Sequence, residues 1–381
     1  MSFSASLKGI TWNHTRGYVP LVATAQRFED LTGGVEIRWQ KRSLKDFGDA
    51  PLEKLSEDVD LLVIDHPHIG HGAARQILEP LENHLPAAFL SELAAASVGR
   101  SFESYSFDGH LWASPIDAAA PVSSWRPDLM ERSGIALPET FEEVLKLARR
   151  GLVAVPATPV DSLMHFFMIC CALGEEPFVS ADSVGSRETG VAALRKLRTL
   201  VDCCARECLV RNPIQTYREM VTGDRILYCP FAYGYSNYSR PGFAPRVLRF
   251  GNLVTMGGAR MLRSTLGGAG LAISKRCANR SLAAAYVEFV SSSICQRGLY
   301  FDSGGQPGHR SAWENVRINT AANGFFASTL KTLDEAYLRP RYDGYMRFQD
   351  DAGSVVHKFL QQGGDCEEVM TRMEEVRRAR K

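Results

Sequence analysis

The stretch 107–149, FDGHLWASPIDAAAPVSSWRPDLMERSGIALPETFEEVLKLAR, constrains the fold most, because it is dense in residues that restrict the backbone. Asp108-Gly109 is a turn signal between hydrophobic runs. Residues 111–114 read as a strand that Pro115 ends. Pro127 suits the first turn of a short helix, and Gly134 suits its left-handed cap. Thr140 and Glu143 form an S/T-x-x-E capping box, after which Phe141, Val144, Leu145 and Ala148 mark one apolar helix face.

The first 65 residues alternate in the same way. Residues 7–12 read as a short strand, and 20–31 as a helix with Leu21, Ala25 and Phe28 on one face and Pro20 in its first turn. Residues 35–39 alternate apolar and polar. Residues 59–64, VDLLVI, are nearly continuous in apolar character, as in a parallel strand covered on both faces. The pattern predicts an α/β fold with a mainly parallel sheet. A length of 381 residues predicts two domains or lobes.

Composition narrows the classes. The chain is 45% hydrophobic and 23% charged, with a formal net charge of +1. That balance offers no basic face for nucleic acid or an anionic membrane. The apolar run 163–173, LMHFFMICCAL, is about half the ~20 residues a spanning helix needs, so it is expected to be a buried helix, with no membrane insertion. Nine cysteines, including two adjacent pairs, do not read as a disulfide framework. Residues 1–6 show no signal-peptide pattern. The expected location is therefore cytoplasmic as the sequence stands, or periplasmic if a leader has been removed.

Four further segments carry a resemblance: RFEDLTGGVEIRW (27–39), LLVIDHPHIGHGAARQILEPLENHL (61–85), TLGGAGLAISKRCANRSLAAAYVEFVSS (265–292) and YLRPRYDGYMRFQDDAGSVVHKFLQQG (337–363). With 107–149, and in this order, they resemble the family 1 extracellular solute-binding proteins, the maltodextrin-type receptors of ABC importers. The resemblance implies a two-lobed type II periplasmic-binding-protein-like fold with a hinge and an interlobe cleft. One lobe would combine 1–115 with 266–305, and the other 116–265 with 306–381. It implies a small-molecule ligand, an ABC permease as partner if the chain is exported, and no nucleic acid. No P-loop, dinucleotide fingerprint or Ser-His-Asp pattern is present, and no cofactor is expected.

Such sheets bind ligands beyond the carboxyl ends of their strands, which selects the candidates. After the first strand come Trp12, Asn13, His14 and Arg16. Arg16 would fork onto a carboxylate or phosphate, or stand as a solvated loop arginine. Trp12 would stack on a sugar or pack in the core. Asp65 and His66 open the loop 65–72. His66, His68 and His71 also form a candidate metal cluster, though without a known zinc spacing. Asp117 would accept two hydroxyl hydrogen bonds from a polyol, or cap a turn. Tyr228, Phe231 and Tyr233 would form an aromatic wall or pack their lobe. Gly268 permits close backbone approach, and Gln306 would reach the ligand from a turn.

The expected function is binding of a small polar solute (sugar, polyol or related carboxylate) by lobe closure. The alternative is a cytoplasmic enzyme on the same scaffold. Thiaminase I has this broad fold and a cysteine nucleophile; here Cys229 would take that role, with His66 or His14 as base. The lesser alternative is metal binding through His, Asp and Tyr.

Overall fold

The structure is a computed structural model, described for residues 6–49, 52–180, 183–257 and 261–379. Its strands, in chain order, are β1 (Ser6–Trp12), β2 (Glu36–Arg42), β3 (Leu61–Ile64), β4 (Ser114–Ala119), β5 (Pro121–Trp125), β6 (Tyr228–Tyr233), β7 (Arg249–Gly251) and β8 (Gly267–Ile273). The helices used below are α1 (Thr15–Thr32), α2 (Leu44–Asp49), α3 (Phe141–Arg149), α4 (Pro159–Leu173), α5 (Arg187–Asp202), α6 (Arg280–Ser291) and α7 (Tyr345–Gln362).

The chain divides into two units. Unit 1 comprises Met1–Ala119, Gly267–Thr320 and Arg341–Asp343; unit 2 comprises Ala120–Leu266, Ala321–Pro340 and Gly344–Lys381. The divisions fall at 119 and 320 rather than at 115 and 305. Residues 116–119 remain paired in the unit 1 sheet, and the segment after Gln306 folds back onto β4 through a bridge between Asp117 and Pro307.

Unit 1 is built on a five-stranded sheet of order β2-β1-β3-β8-β4. β1 pairs in parallel with β2 from Ser6↔Glu36 to Trp12↔Arg42, and with β3 at Gly9↔Leu61 and Ile10↔Leu62. β8 is antiparallel to both β3 and β4. All four residues of β3 are buried, as its continuous apolar sequence requires. On one side, α1 and α6 meet through Phe28 and Tyr286, and the Tyr286 hydroxyl lies 2.8 Å from Thr24 Oγ1.

Unit 2 has a three-stranded sheet of order β6-β5-β7. Its central helix, α4, is buried along most of its length. Helix α7 approaches α4 closely at Gly353, where a Cβ would come 2.7 Å from the Pro159 carbonyl oxygen. The signals at 127–149 form as read: Pro127 opens a short helix, Gly134 closes it at φ 63°, and Thr140 with Glu143 completes both halves of the α3 capping box.

Four local expectations are corrected. Helix α1 begins at Thr15, with His14 as its cap and Pro20 inside it; the cap supplies a start that the apolar spacing does not mark. Pro115 lies within β4, where it is tolerated because the strand is at the sheet edge and its partner shifts register between Ala269 and Gly270. Segment 65–72 is a 3-10 turn, His66–His68, running into the helix Ile69–Ala74. Residues 226–229 read in the sequence as a strand with a loop over 230–238 after it; the strand is instead β6, Tyr228–Tyr233, so Phe231 and Tyr233 are strand residues.

Candidate functional site

Four of the predicted residues converge at the end of β4. Arg16, in the first turn of α1, forks onto Asp117: Nε donates to Oδ2 at 2.7 Å and Nη2 donates to Oδ1. Both residues are almost fully buried. Burial pushes the Asp117 carboxyl upward, and the guanidinium pulls against it. Gln306 Nε2 donates to the Ala118 carbonyl at 2.8 Å, and the Ala118 amide donates to the Gln306 carbonyl at 3.3 Å. Gly268 opposes Ala118 at φ 116°, where a Cβ would come 2.3 Å from the Asp117 carbonyl oxygen. Only glycine fits that close, left-handed position.

This convergence changes two roles. Arg16 does fork onto a carboxylate, but the carboxylate is the chain's own Asp117. Asp117 does accept two hydrogen bonds, but from Arg16 rather than from a polyol. The ion pair fastens the start of α1 to β4 and carries no net charge. The Gln306 side chain likewise secures backbone.

Around the carboxyl ends of β1 and β3, Trp12 is buried rather than presented as a stacking platform. Its ring lies 5.0 Å from that of Phe47, and a Cβ at Gly17 would come 2.3 Å from the indole. Asn13 is exposed, and its amide donates to the Arg42 carbonyl at 2.7 Å. His14 caps α1 by accepting from the Arg16 amide at 3.0 Å through Nδ1. Asp65 caps the 3-10 turn by accepting from the His66 amide at 2.9 Å. His66 is buried edge-on against Tyr105, whose hydroxyl donates to the Ile64 carbonyl at 3.1 Å.

The histidines do not converge on a metal. His68 is buried, while His71 pairs with Asp343 at 2.6 Å and Glu53 at 2.5 Å. Among the described residues, no group of three or more His, Cys, Asp or Glu side chains is arranged to hold a metal ion.

In unit 2, Tyr228 and Phe231 are buried, with Phe231 4.4 Å from the His165 ring. They pack the unit rather than form a wall. Tyr233 is half-buried, its hydroxyl 3.2 Å from Thr265 Oγ1. Cys229 is fully buried, and burial pushes its thiol up to about 12. A nucleophilic cysteine needs the opposite shift, so Cys229 is not built for that chemistry.

Of the predicted residues, Asn13 is exposed and His14 and Asp65 are half-exposed in unit 1, and Tyr233 is half-exposed in unit 2. Residues 23–323 match the model of the bacterial extracellular solute-binding proteins. The chain belongs to that family. Its fold is that of solved solute-binding proteins. It is similar to the maltose-bound MalE3 of T. maritima, with TM-score 0.84 and 17% identity over 98% of this chain and 99% of that one. It is also similar to an ABC transporter solute-binding protein of Agrobacterium radiobacter K84 in complex with ribitol, with TM-score 0.82 and 18% identity over 98% of each chain. A third, from Thermotoga lettingae TMO and bound with alpha-D-tagatose, gives TM-score 0.83 and 17% identity over 98% of this chain and 99% of that one. Among the described residues, no helix is long and apolar enough to cross a membrane.

Arg42 and Phe47 also lie at the Trp12 corner, beyond the candidates named above. Arg42 ends β2, buried, with Nη2 donating to the Val63 carbonyl at 2.7 Å. Alternation from Ile37 and Trp39 points to Lys41 as the next inward residue, yet Lys41 is exposed. The strand end breaks the period, so no local signal marks Arg42.

Proposed function

We propose that this chain is a non-enzymatic receptor for one small polar solute: a sugar, a polyol or a related carboxylate. The family match across residues 23–323 carries the reading. The backbone likeness to proteins bound with maltose, ribitol and tagatose supports the ligand class. Asn13, His14 and Asp65 of unit 1 would supply hydrogen bonds to hydroxyl groups. An extracellular location accords with the family, and an exported chain would hand its solute to an ABC permease.

A thermal-shift panel tests this reading. It contains maltose, ribitol, tagatose, mannitol and their carboxylate relatives, each at millimolar concentration. A solute that binds only the native state at about 100 times its Kd adds about 2.7 kcal/mol, so at least one should raise Tm by several degrees. A flat panel overturns the reading.

A further inference from the structure

The corner where β1, α1 and β2 meet contains two buried donors with no acceptor. Trp12 is 3% exposed and Arg42 8%. Among the described residues, neither Trp12 Nε1 nor Arg42 Nε has a hydrogen-bond partner. Both side chains flank the same ring: Trp12 lies 5.0 Å from the Phe47 centroid, and the Arg42 guanidinium carbon 5.3 Å. A buried donor left unpaired is costly, so two around one ring indicate a missing acceptor.

The charge of the corner defines that acceptor. The buried Arg16 and Arg126 each pair with a carboxylate. Arg42 instead donates to two neutral carbonyls, of Val63 at 2.7 Å and Asp46 at 3.3 Å. Burial lowers its pKa to about 10, although the Asp46 carboxylate, which makes no hydrogen bond to it, pulls the other way. Beside it lies the first turn of α1, which contains no acidic residue and whose Gly17 is packed against the Trp12 indole. A helix start is itself partially positive. Lys41, one residue before Arg42, sits 4.9 Å from the Tyr18 ring of that same turn.

We propose that this corner receives the anionic oxygen group, carboxylate or phosphate, of a polyhydroxy solute, with Arg42 Nε and Trp12 Nε1 as its donors. The inference rests on the solute-binding reading and gives its ligand a charge. Arg42 sets specificity by donating to the anion, and Trp12 adds a neutral donor.

Calorimetric titration of the full chain tests the proposal with matched pairs: glucuronate and glucose 6-phosphate against glucose, and ribonate against ribitol. A charge-assisted hydrogen bond is worth about 1.5–3 kcal/mol, so the anionic member of one pair should bind at least ~10-fold tighter. The pair that responds distinguishes carboxylate from phosphate. Arg42→Gln should remove the preference while leaving affinity for the neutral member, and Trp12→Phe should reduce it. If circular dichroism shows that Arg42→Gln does not fold, Arg42→Lys keeps the charge without the fork and should retain only part of the preference. Neutral members binding as tightly as the anions would overturn the proposal and leave the solute-binding reading standing. A preference that survives Arg42→Gln would also overturn it. Binding by no member of any pair would overturn the proposal, and a flat thermal-shift panel beside it would remove the solute-binding reading as well.

Discussion

Arg16 and Asp117 are 101 positions apart in sequence and meet as a buried, bidentate pair. Each residue type was recognisable as a hydrogen-bonding group at a strand end, but neither position names the other as partner. Removing one member leaves the other charge buried and unpaired, which costs about 3–5 kcal/mol. Asp117→Asn and Arg16→Gln should each lower stability by that order in urea unfolding. The double variant should recover much of the loss, because neither charge is then stranded. Fully additive losses would show that the two do not act as a pair.

Helix α4 shows what the element scale adds. Its sequence, LMHFFMICCAL after Pro159, was legible as a buried helix because it is apolar on every face. What burial does to its two titratable groups became visible only in place. Burial raises Asp161 from 3.8 to about 7, although Thr158 donates to its carboxylate. Burial lowers His165 from 6.5 to about 3. The folded Asp161 holds a proton that the unfolded chain releases, so its stability contribution is present below pH 3.8 and lost as pH rises to about 7. The loss is on the order of 4 kcal/mol. The folded His165 refuses a proton that the unfolded chain accepts, so its contribution is present above pH 6.5 and lost as pH falls to about 3. Between those limits the two slopes oppose. Asp161→Asn should therefore raise stability near pH 7 and expose a steep acid loss. His165→Phe should expose the opposite slope, with stability falling as pH rises from about 4 to 7. Denaturant midpoints measured from pH 3.5 to 8 check both; unchanged profiles would mean that the groups are not buried as described.

At the scale of the whole molecule, β8 is the decisive element. It enters 148 residues after β4 ends (from Ala119 to Gly267), yet it lies between β3 and β4 in the unit 1 sheet. A chain truncated after Leu266 leaves β4 without its sheet partner and uncovers β3. It should lose unit 1 as a cooperative transition in calorimetry, whereas a native-like transition would show that β8 is dispensable. The sequence by itself determined the elements whose signals are local: α3 through its capping box, the left-handed turn at Gly134, β3 through continuous apolar character, and α4 through burial on all sides. The ordered motifs also placed the chain in its family, because a family preserves the order of its local signals. The tertiary structure decided which polar groups are taken up by the chain's own partners. It joined Arg16 to Asp117, turned Gln306 onto backbone, enclosed Trp12 and Phe231, and left Arg42 and Trp12 with donors unspent. Strand register and long crossovers settle those matters, since a side chain's partner depends on residues far along the chain, beyond the reach of periodicity or spacing.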